Sequence, residues 1–138
     1  MEAALELARE AAAIGEVPVG AVAVKDGAII GRGYNRREID RDPLAHAELI
    51  AMREACRALD AWRLTGVTVY VTLEPCAMCA GAMVQARLTE VVFGAEDAKQ
   101  GRADLLVGHN HTVKVTRGVQ AEASSAMLRA FFAKLREG

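Results

Sequence analysis

Apolar residues recur along this chain at two alternating periods, about 3.6 and about 2, and the switches between them mark its elements. Ala4, Leu7, Ala11 and Ile14 fall at helical spacing, so the chain opens with an amphipathic helix ending near Gly15. Residues 17–25 are apolar on both faces and rich in valine, the pattern of a buried strand. Asp26-Gly27 supplies a two-residue hairpin turn into a second strand over residues 28–33. Residues 35–45 are polar and charged, contain Pro43, and read as a loop. From His46 onward, Leu49, Met52, Cys56 and Leu59 mark a second helix. Val67, Val69, Val71 and Leu73 then alternate with Thr68, Tyr70 and Thr72 as a third strand.

Pro75 stands where the first turn of a third helix is expected, running to about Ala86, because a missing donor does no harm there. Residues 90–94 form a fourth strand and residues 113–117 a half-exposed fifth. Leu128, Phe131 and Leu135 place an apolar stripe on the last helix, with Phe131 and Phe132 expected in the core. Trp62 is expected to anchor the connection between the second helix and the third strand. A hairpin followed by strand, helix, strand, helix and strand predicts an α/β fold. It should be a three-layer α/β/α sandwich around one mixed five-stranded sheet. The segments at His46 and Cys76 each start a helix near that sheet, where sites in α/β folds are built.

Length and composition narrow the class. The 138 residues predict one domain, residues 1–138, able to bury a core without disulfides. Apolar residues are 52% and charged residues 25%, the balance of a soluble globular chain. The longest nearly uncharged run, residues 17–24, is far too short to span a bilayer. Glu2, Glu6, Arg9 and Glu10 interrupt the first apolar pattern, which excludes a signal peptide and makes the cytoplasm the expected location. A net charge of −1 argues against a large phosphate-binding surface, though not against a small basic rim. Arg36, Arg37, Arg41, Lys99 and Arg102 are the candidates for such a rim.

The chemistry lies in two short segments, His46-Ala47-Glu48 and Pro75-Cys76-Ala77-Met78-Cys79. Cys76 and Cys79, three apart, project from one face of a helix. Near its first turn the helix dipole favours thiolate over thiol. With His46 they supply three ligands for a tetrahedral zinc ion, leaving the fourth position to water, the mark of a catalytic site. A carboxylate nearby, Glu48, is then placed to move protons rather than to ligate. The pattern of a histidine, a glutamate two residues on, and a later Pro-Cys-x-x-Cys is an established signature of zinc deaminases, in which hydroxide attacks an amine-bearing ring carbon. Two bland readings compete. Cys-x-x-Cys could be a redox pair, and a purely structural zinc site would draw a fourth ligand from His109 or His111. Cys56, on the apolar stripe of the second helix, reads as a small buried hydrophobe.

With both segments placed, the chain resembles the cytidine deaminase superfamily, and within it the bacterial tRNA adenosine deaminases. The resemblance spans nearly the whole length. It rests on Glu16-Val17-Pro18-Val19-Gly20-Ala21, on Asn35 with Arg37-Glu38, and on the run from Pro43 to Glu48. It continues through Tyr70-Val71-Thr72-Leu73-Glu74-Pro75-Cys76, Cys79-Ala80-Gly81-Ala82-Met83 and Val92-Phe93-Gly94-Ala95 with Asp97-Ala98-Lys99. It implies a cytidine deaminase-like fold and conversion of adenosine to inosine at the wobble position of an arginine tRNA anticodon loop. It further implies one zinc ion per subunit held by His46, Cys76 and Cys79, with zinc-bound hydroxide attacking C6 and Glu48 as catalytic proton shuttle. Asn35, Ala47 and Pro75 are the implied substrate contacts, a tRNA anticodon stem-loop and a second copy of the chain the implied partners, with no membrane. Residues 100–108 are shorter than the family's usual connection, with Arg102 and Asp104 in unfamiliar places. The competing functions are a deaminase of a free base or nucleoside, which shares the zinc motif, and a non-catalytic zinc- or RNA-binding module, which has no need of Glu48.

Overall fold

The computed structural model describes residues 1–137. In chain order its elements are α1 (Glu2–Ala13), β1 (Gly20–Lys25), β2 (Ala28–Tyr34), α2 (Ala47–Leu59), β3 (Thr68–Leu73), α3 (Ala77–Gln85), β4 (Glu90–Ala95), a short 3-10 helix (Ala103–Leu106), β5 (Lys114–Thr116) and α4 (Ala121–Glu137). The sheet is five-stranded in the order β2-β1-β3-β4-β5. β1 runs antiparallel to both neighbours, and β3, β4 and β5 run parallel. α1 and α4 pack together on one face, α2 and α3 on the other. This is the expected three-layer mixed-sheet architecture.

Asp26 and Gly27 join β1 to β2 with φ values of 51° and 78°, the paired positive angles of a type I′ turn. The register slips by one between Ala23 and Val24, so Ile30 is left unpaired as a bulge. Beyond that bulge Ala21 opposes Gly33 and Val71, while Ala23 opposes Gly31 and Val69. Residues opposed across strands share a face, and this face carries α2. A Cβ on Gly31 would lie 2.1 Å from the Ala51 carbonyl oxygen, and one on Gly33 would lie 2.4 Å from that of Ala47. The helix backbone therefore rests directly on β2, with Ala47, Ala51 and Ala55 filling what little space remains. Gly20 does the same for α1 on the opposite face, where an added Cβ would come within 2.0 Å of the Ala4 oxygen.

That intimacy explains where the apolar stripes differ from expectation. On α1 the buried line is Ala4, Leu5, Ala8 and Ala11, while Leu7 is half-buried and Ile14 is exposed. Small side chains take the inner face because the helix must approach Gly20 closely. On α2 the centre of the stripe is alanine, with Leu49, Cys56 and Leu59 half-buried along its flanks.

Several expectations are corrected. The first strand starts at Gly20 rather than residue 17, because Val19 N–H turns back onto the Val17 carbonyl around Pro18, which has no donor. Pro75 lies outside the third helix. The main chain stays extended through Cys76, which bridges Gly101, and Pro75 C=O accepts from Arg102 N–H, so α3 begins only at Ala77. Trp62 is 59% exposed, with the Arg63 guanidinium over its ring, and only its carbonyl is tied to the second helix, by the Cys56 thiol. Phe131 is half-buried and Phe132 exposed, stacked edge to face on each other, and Leu135 is exposed as well. The one buried residue of α4 is Ser124, whose hydroxyl donates to Thr72 C=O. The half-exposed segment 100–108 holds the 3-10 helix, which the sequence pattern did not reveal and which buries Ala103 and Leu106.

Gly31→Ala drives a methyl into the α2 backbone and should lower stability by about 3 kcal/mol, the upper end for overpacking. Gly81→Ala, within α3 and with nothing near its added Cβ, should raise stability by about 0.5–1 kcal/mol. Urea denaturation of the two variants checks the pair, and the opposite ordering would refute this account of helix-sheet contact.

Candidate active site

His46 and Cys76 are each the residue that opens a helix. Both have extended backbone, His46 at φ −83° and ψ 147°, Cys76 at φ −76° and ψ 175°. A residue at this position ordinarily turns its side chain back to accept from the first-turn amides. Neither does so here, and neither helix end has a side-chain cap. The two side chains reach instead toward each other across the gap between α2 and α3. Cys79 follows one turn into α3, buried beneath them.

The result is a compact group of three donors. His46 Nδ1 lies 3.6 Å from Cys76 Sγ and 3.5 Å from Cys79 Sγ, and all three atoms fall within 4.8 Å of one another. A tetrahedral zinc ion about 2.3 Å from each sulfur and about 2.0–2.1 Å from nitrogen holds its nitrogen and sulfur ligands about 3.5–3.6 Å apart. The donor set therefore fits zinc in spacing as well as in kind. No fourth histidine, cysteine, aspartate or glutamate joins the cluster among the described residues. His109 and His111 stay outside it, and His111 Nε2 is bonded to Leu88 C=O at 2.6 Å.

Charge within the group follows from its hydrogen bonds. Cys76 receives bonds from the Cys79 thiol and from His46, which hold it down to about 3 as a thiolate. Cys79, donating to Cys76 and buried, has its pKa pushed up. His46 is raised too, chiefly by its bond to Cys76. Without metal the two sulfurs thus share one proton, which sits on Cys79.

Glu48, in the first turn of α2, is wholly enclosed, and burial raises its carboxyl to about 6. Its own backbone amide and the adjacent His46 charge oppose that rise. It stays outside the three-donor group. A buried carboxylate poised near neutrality, beside a metal-binding trio, is an arrangement suited to general acid–base work.

Beside these residues opens a cleft of about 210 Å³, lined by Val17, Val19, Asn35, Arg37, Ala47 and Leu73, among others. His46, Glu48 and Cys76 form part of its wall, as do Glu74, Asp97 and Gln100. Of the three expected substrate contacts, Asn35 and Ala47 line this cleft. Pro75 is buried and does not. Asn35 is partly engaged, its Nδ2 donating to Val17 C=O at 3.2 Å and its Oδ1 accepting from Arg37 N–H at 3.2 Å. Of the five candidate rim cations only Arg37 reaches the lining. Arg36 is turned to Asp40 and Arg102 to Asp104 in bidentate pairs. Sequence reasoning missed Asp97 and Gln100 in the wall. Only the small-residue and acid pattern after β4 could have signalled a built turn there.

Comparison with known proteins agrees with this geometry. The MafB19-like deaminase family matches residues 1–136. The tRNA-specific adenosine deaminase of Bacillus subtilis (strain 168) is 48% identical over 143 residues, covering 99% of this chain and 89% of that protein. This chain belongs to that deaminase family. A solved structure from work on A-to-I editing by tRNA:A34 deaminases at the wobble position superposes with a TM-score of 0.89 at 42% identity, covering 93% of this chain and 97% of its own. The guanine deaminase of Nitrosomonas europaea shares the fold at a TM-score of 0.84 and 27% identity, covering 94% and 81%. The fold is thus the cytidine deaminase-like one.

A zinc ion taking this site would displace the proton on Cys79, and at lower pH the proton on His46. Because those values are raised, metal binding should tighten as pH rises, by about tenfold per unit for each proton displaced. Competition against a chelator at pH 7 and pH 8 measures this, and a pH-independent affinity would contradict the shared-proton picture.

Proposed function

We propose that this deaminase converts adenosine to inosine at the wobble position of a tRNA anticodon loop, with an arginine tRNA as substrate and one zinc ion per subunit. The observation that carries the reading is the His46, Cys76 and Cys79 trio with Glu48 buried against it. The 48% identity to a tRNA-specific adenosine deaminase directs it to RNA. Anticodon-loop bases are already unpaired, so extruding one into a cleft costs little.

Held by the three donors, zinc would supply Lewis acidity that brings the pKa of a water down to about 7. Every further demand falls on the chain. Glu48 is the one carboxylate in the wall that is wholly enclosed, and it can take a proton from the attacking water. Its elevated value suits it to hand that proton onward, first to the ring nitrogen and then to the departing amine. Ala47 lines the same wall. Asn35 retains one amide hydrogen and one lone pair free for a nucleoside. Arg37 supplies the cleft with a cation suited to a phosphate.

A homodimer and a cytoplasmic location complete the proposal. Exposed Leu44, Leu105 and Val107 support self-association. The three free cysteines, Cys56, Cys76 and Cys79, suit a reducing compartment, where thiols persist. Among the described residues no helix is long and apolar enough to cross a membrane.

A second reading is a free-base deaminase, favoured by the likeness to a guanine deaminase and by a cleft with a single lining cation. Zinc-loaded protein incubated with an arginine tRNA anticodon stem-loop should yield inosine. Ammonia from guanine or cytosine, with none from the stem-loop, would select the second reading instead.

Glu48→Ala should keep zinc and fold while kcat drops by about 10²–10⁴-fold. Cys76→Ala should lose the metal and part of the stability that metal binding confers. Zinc analysis with single-turnover assays separates the two, and activity within tenfold of wild type in Glu48→Ala would remove that residue from the mechanism.

A further inference from the structure

The cleft is lined by two stretches that belong to no helix or strand: the segment after β2 with Asn35 and Arg37, and the segment after β4 with Asp97 and Gln100. Loops of this kind do not hold a wall to within fractions of an ångström unless something inside the molecule grips them.

For the first loop the grip is Glu16. It is only 2% exposed, an acid carried into the interior just after α1. Its Oε1 accepts from Glu38 N–H at 3.2 Å and its Oε2 from Ile39 N–H at 2.8 Å. The same short stretch adds two bonds through its carbonyls, since Val17 C=O accepts from the Asn35 side-chain Nδ2 and Val19 C=O accepts from Asn35 N–H at 3.0 Å. For the second loop the grip is Glu74. Its Oε1 accepts from Asp97 N–H at 3.1 Å and its Oε2 from Ala103 N–H at 3.0 Å. Gly101 closes over this carboxylate so tightly that an added Cβ would lie 2.4 Å from Glu74 Cδ. Asp97 then ties its own turn, accepting from Lys99 and Gln100 N–H at 3.1 Å each.

The two arrangements are the same device. A carboxylate is a pure acceptor with two oxygens, so it can pin two amides at once, and its charge strengthens both bonds. Neither Glu16 nor Glu74 pairs with a lysine or arginine among the described residues. Their charge meets main-chain amides alone, which makes geometry, not ion pairing, their contribution. Neither belongs to the metal-binding trio.

We propose that Glu16 and Glu74 are positioning residues, paired main-chain clamps that together fix the separation of the two loops and so the fit of the nucleobase. The proposal rests on the deaminase reading and extends it: the trio and Glu48 set the chemistry, while the clamps set substrate alignment. Glutamine at position 16 keeps an acceptor for one amide but turns a donor toward the other. Alanine removes both acceptors.

The test compares zinc-loaded wild type with Glu16→Gln, Glu16→Ala and Glu74→Gln on the anticodon stem-loop. In Glu16→Gln, KM should rise about tenfold with kcat within about threefold, and Glu16→Ala should be worse in KM. Zinc content should stay at the wild-type level in all variants. The Glu38 and Ile39 amides should exchange hydrogen at least about tenfold faster in Glu16→Gln, while β1 and β3 keep their protection. An unchanged KM in the folded Gln variants would overturn the proposal, as would a fall in kcat at constant KM. So would fast exchange of these two amides already in wild type, a readout that needs no variant to fold. Absence of turnover in wild type would strike the deaminase reading instead, leaving the clamps to be judged by amide exchange.

Discussion

The arrangement depends on one steric constraint: α2 lies with its backbone against β2. Gly31 and Gly33 leave no side chain between helix and strand, and the alanines of α2 accept that closeness. A helix held so near the sheet has little freedom to slide or rise, because interiors transmit strain and do not absorb it. His46 opens that helix, so its height above the sheet is set by the packing of Ala47 and Ala51 on β2. Cys76 is fixed independently, through the parallel β3-β4 pairing and its bridge to Gly101. The fit of His46 to two sulfurs at 3.5–3.6 Å is therefore the meeting of two separately anchored helix ends.

Electrostatics then follows from placement. Helix starts present unpaired amides and the positive end of the dipole, which favours thiolate. The enclosed carboxyl of Glu48 is pushed the other way by burial. Opposite shifts in neighbouring acids divide the labour between holding a cation and carrying a proton. One site obtains both from a few residues at the starts of two helices.

Much of this was legible in the sequence. Alternation across residues 67–73 and the Asp26-Gly27 turn placed the sheet, and the two half-motifs placed the metal-binding group. What escaped was of two kinds. Apolar periodicity overweights large side chains, so it centred α2 on Leu49 and Leu59 when the contact is made by Ala51 against glycine. Phe132 was also expected in the core and Trp62 as an anchor, although nothing local distinguishes a buried ring from an exposed one. The second kind is the long-range hydrogen bond. Glu16 and Glu74 read only as parts of family strings, yet each reaches amides more than twenty positions away. No periodicity encodes such a pairing, because it exists only once the fold brings the partners together.

His46 and Cys76 occupy the two places where serine or aspartate would serve helix stability best, by about 1 kcal/mol at each end. The fold forgoes both. A search for a hardier version of this chain, guided by helix-forming statistics alone, would go to these positions first and would erase the site in the act of improving the protein. Sturdiness and activity are thus in direct competition at these two residues, and any hardening of this fold must be sought away from them.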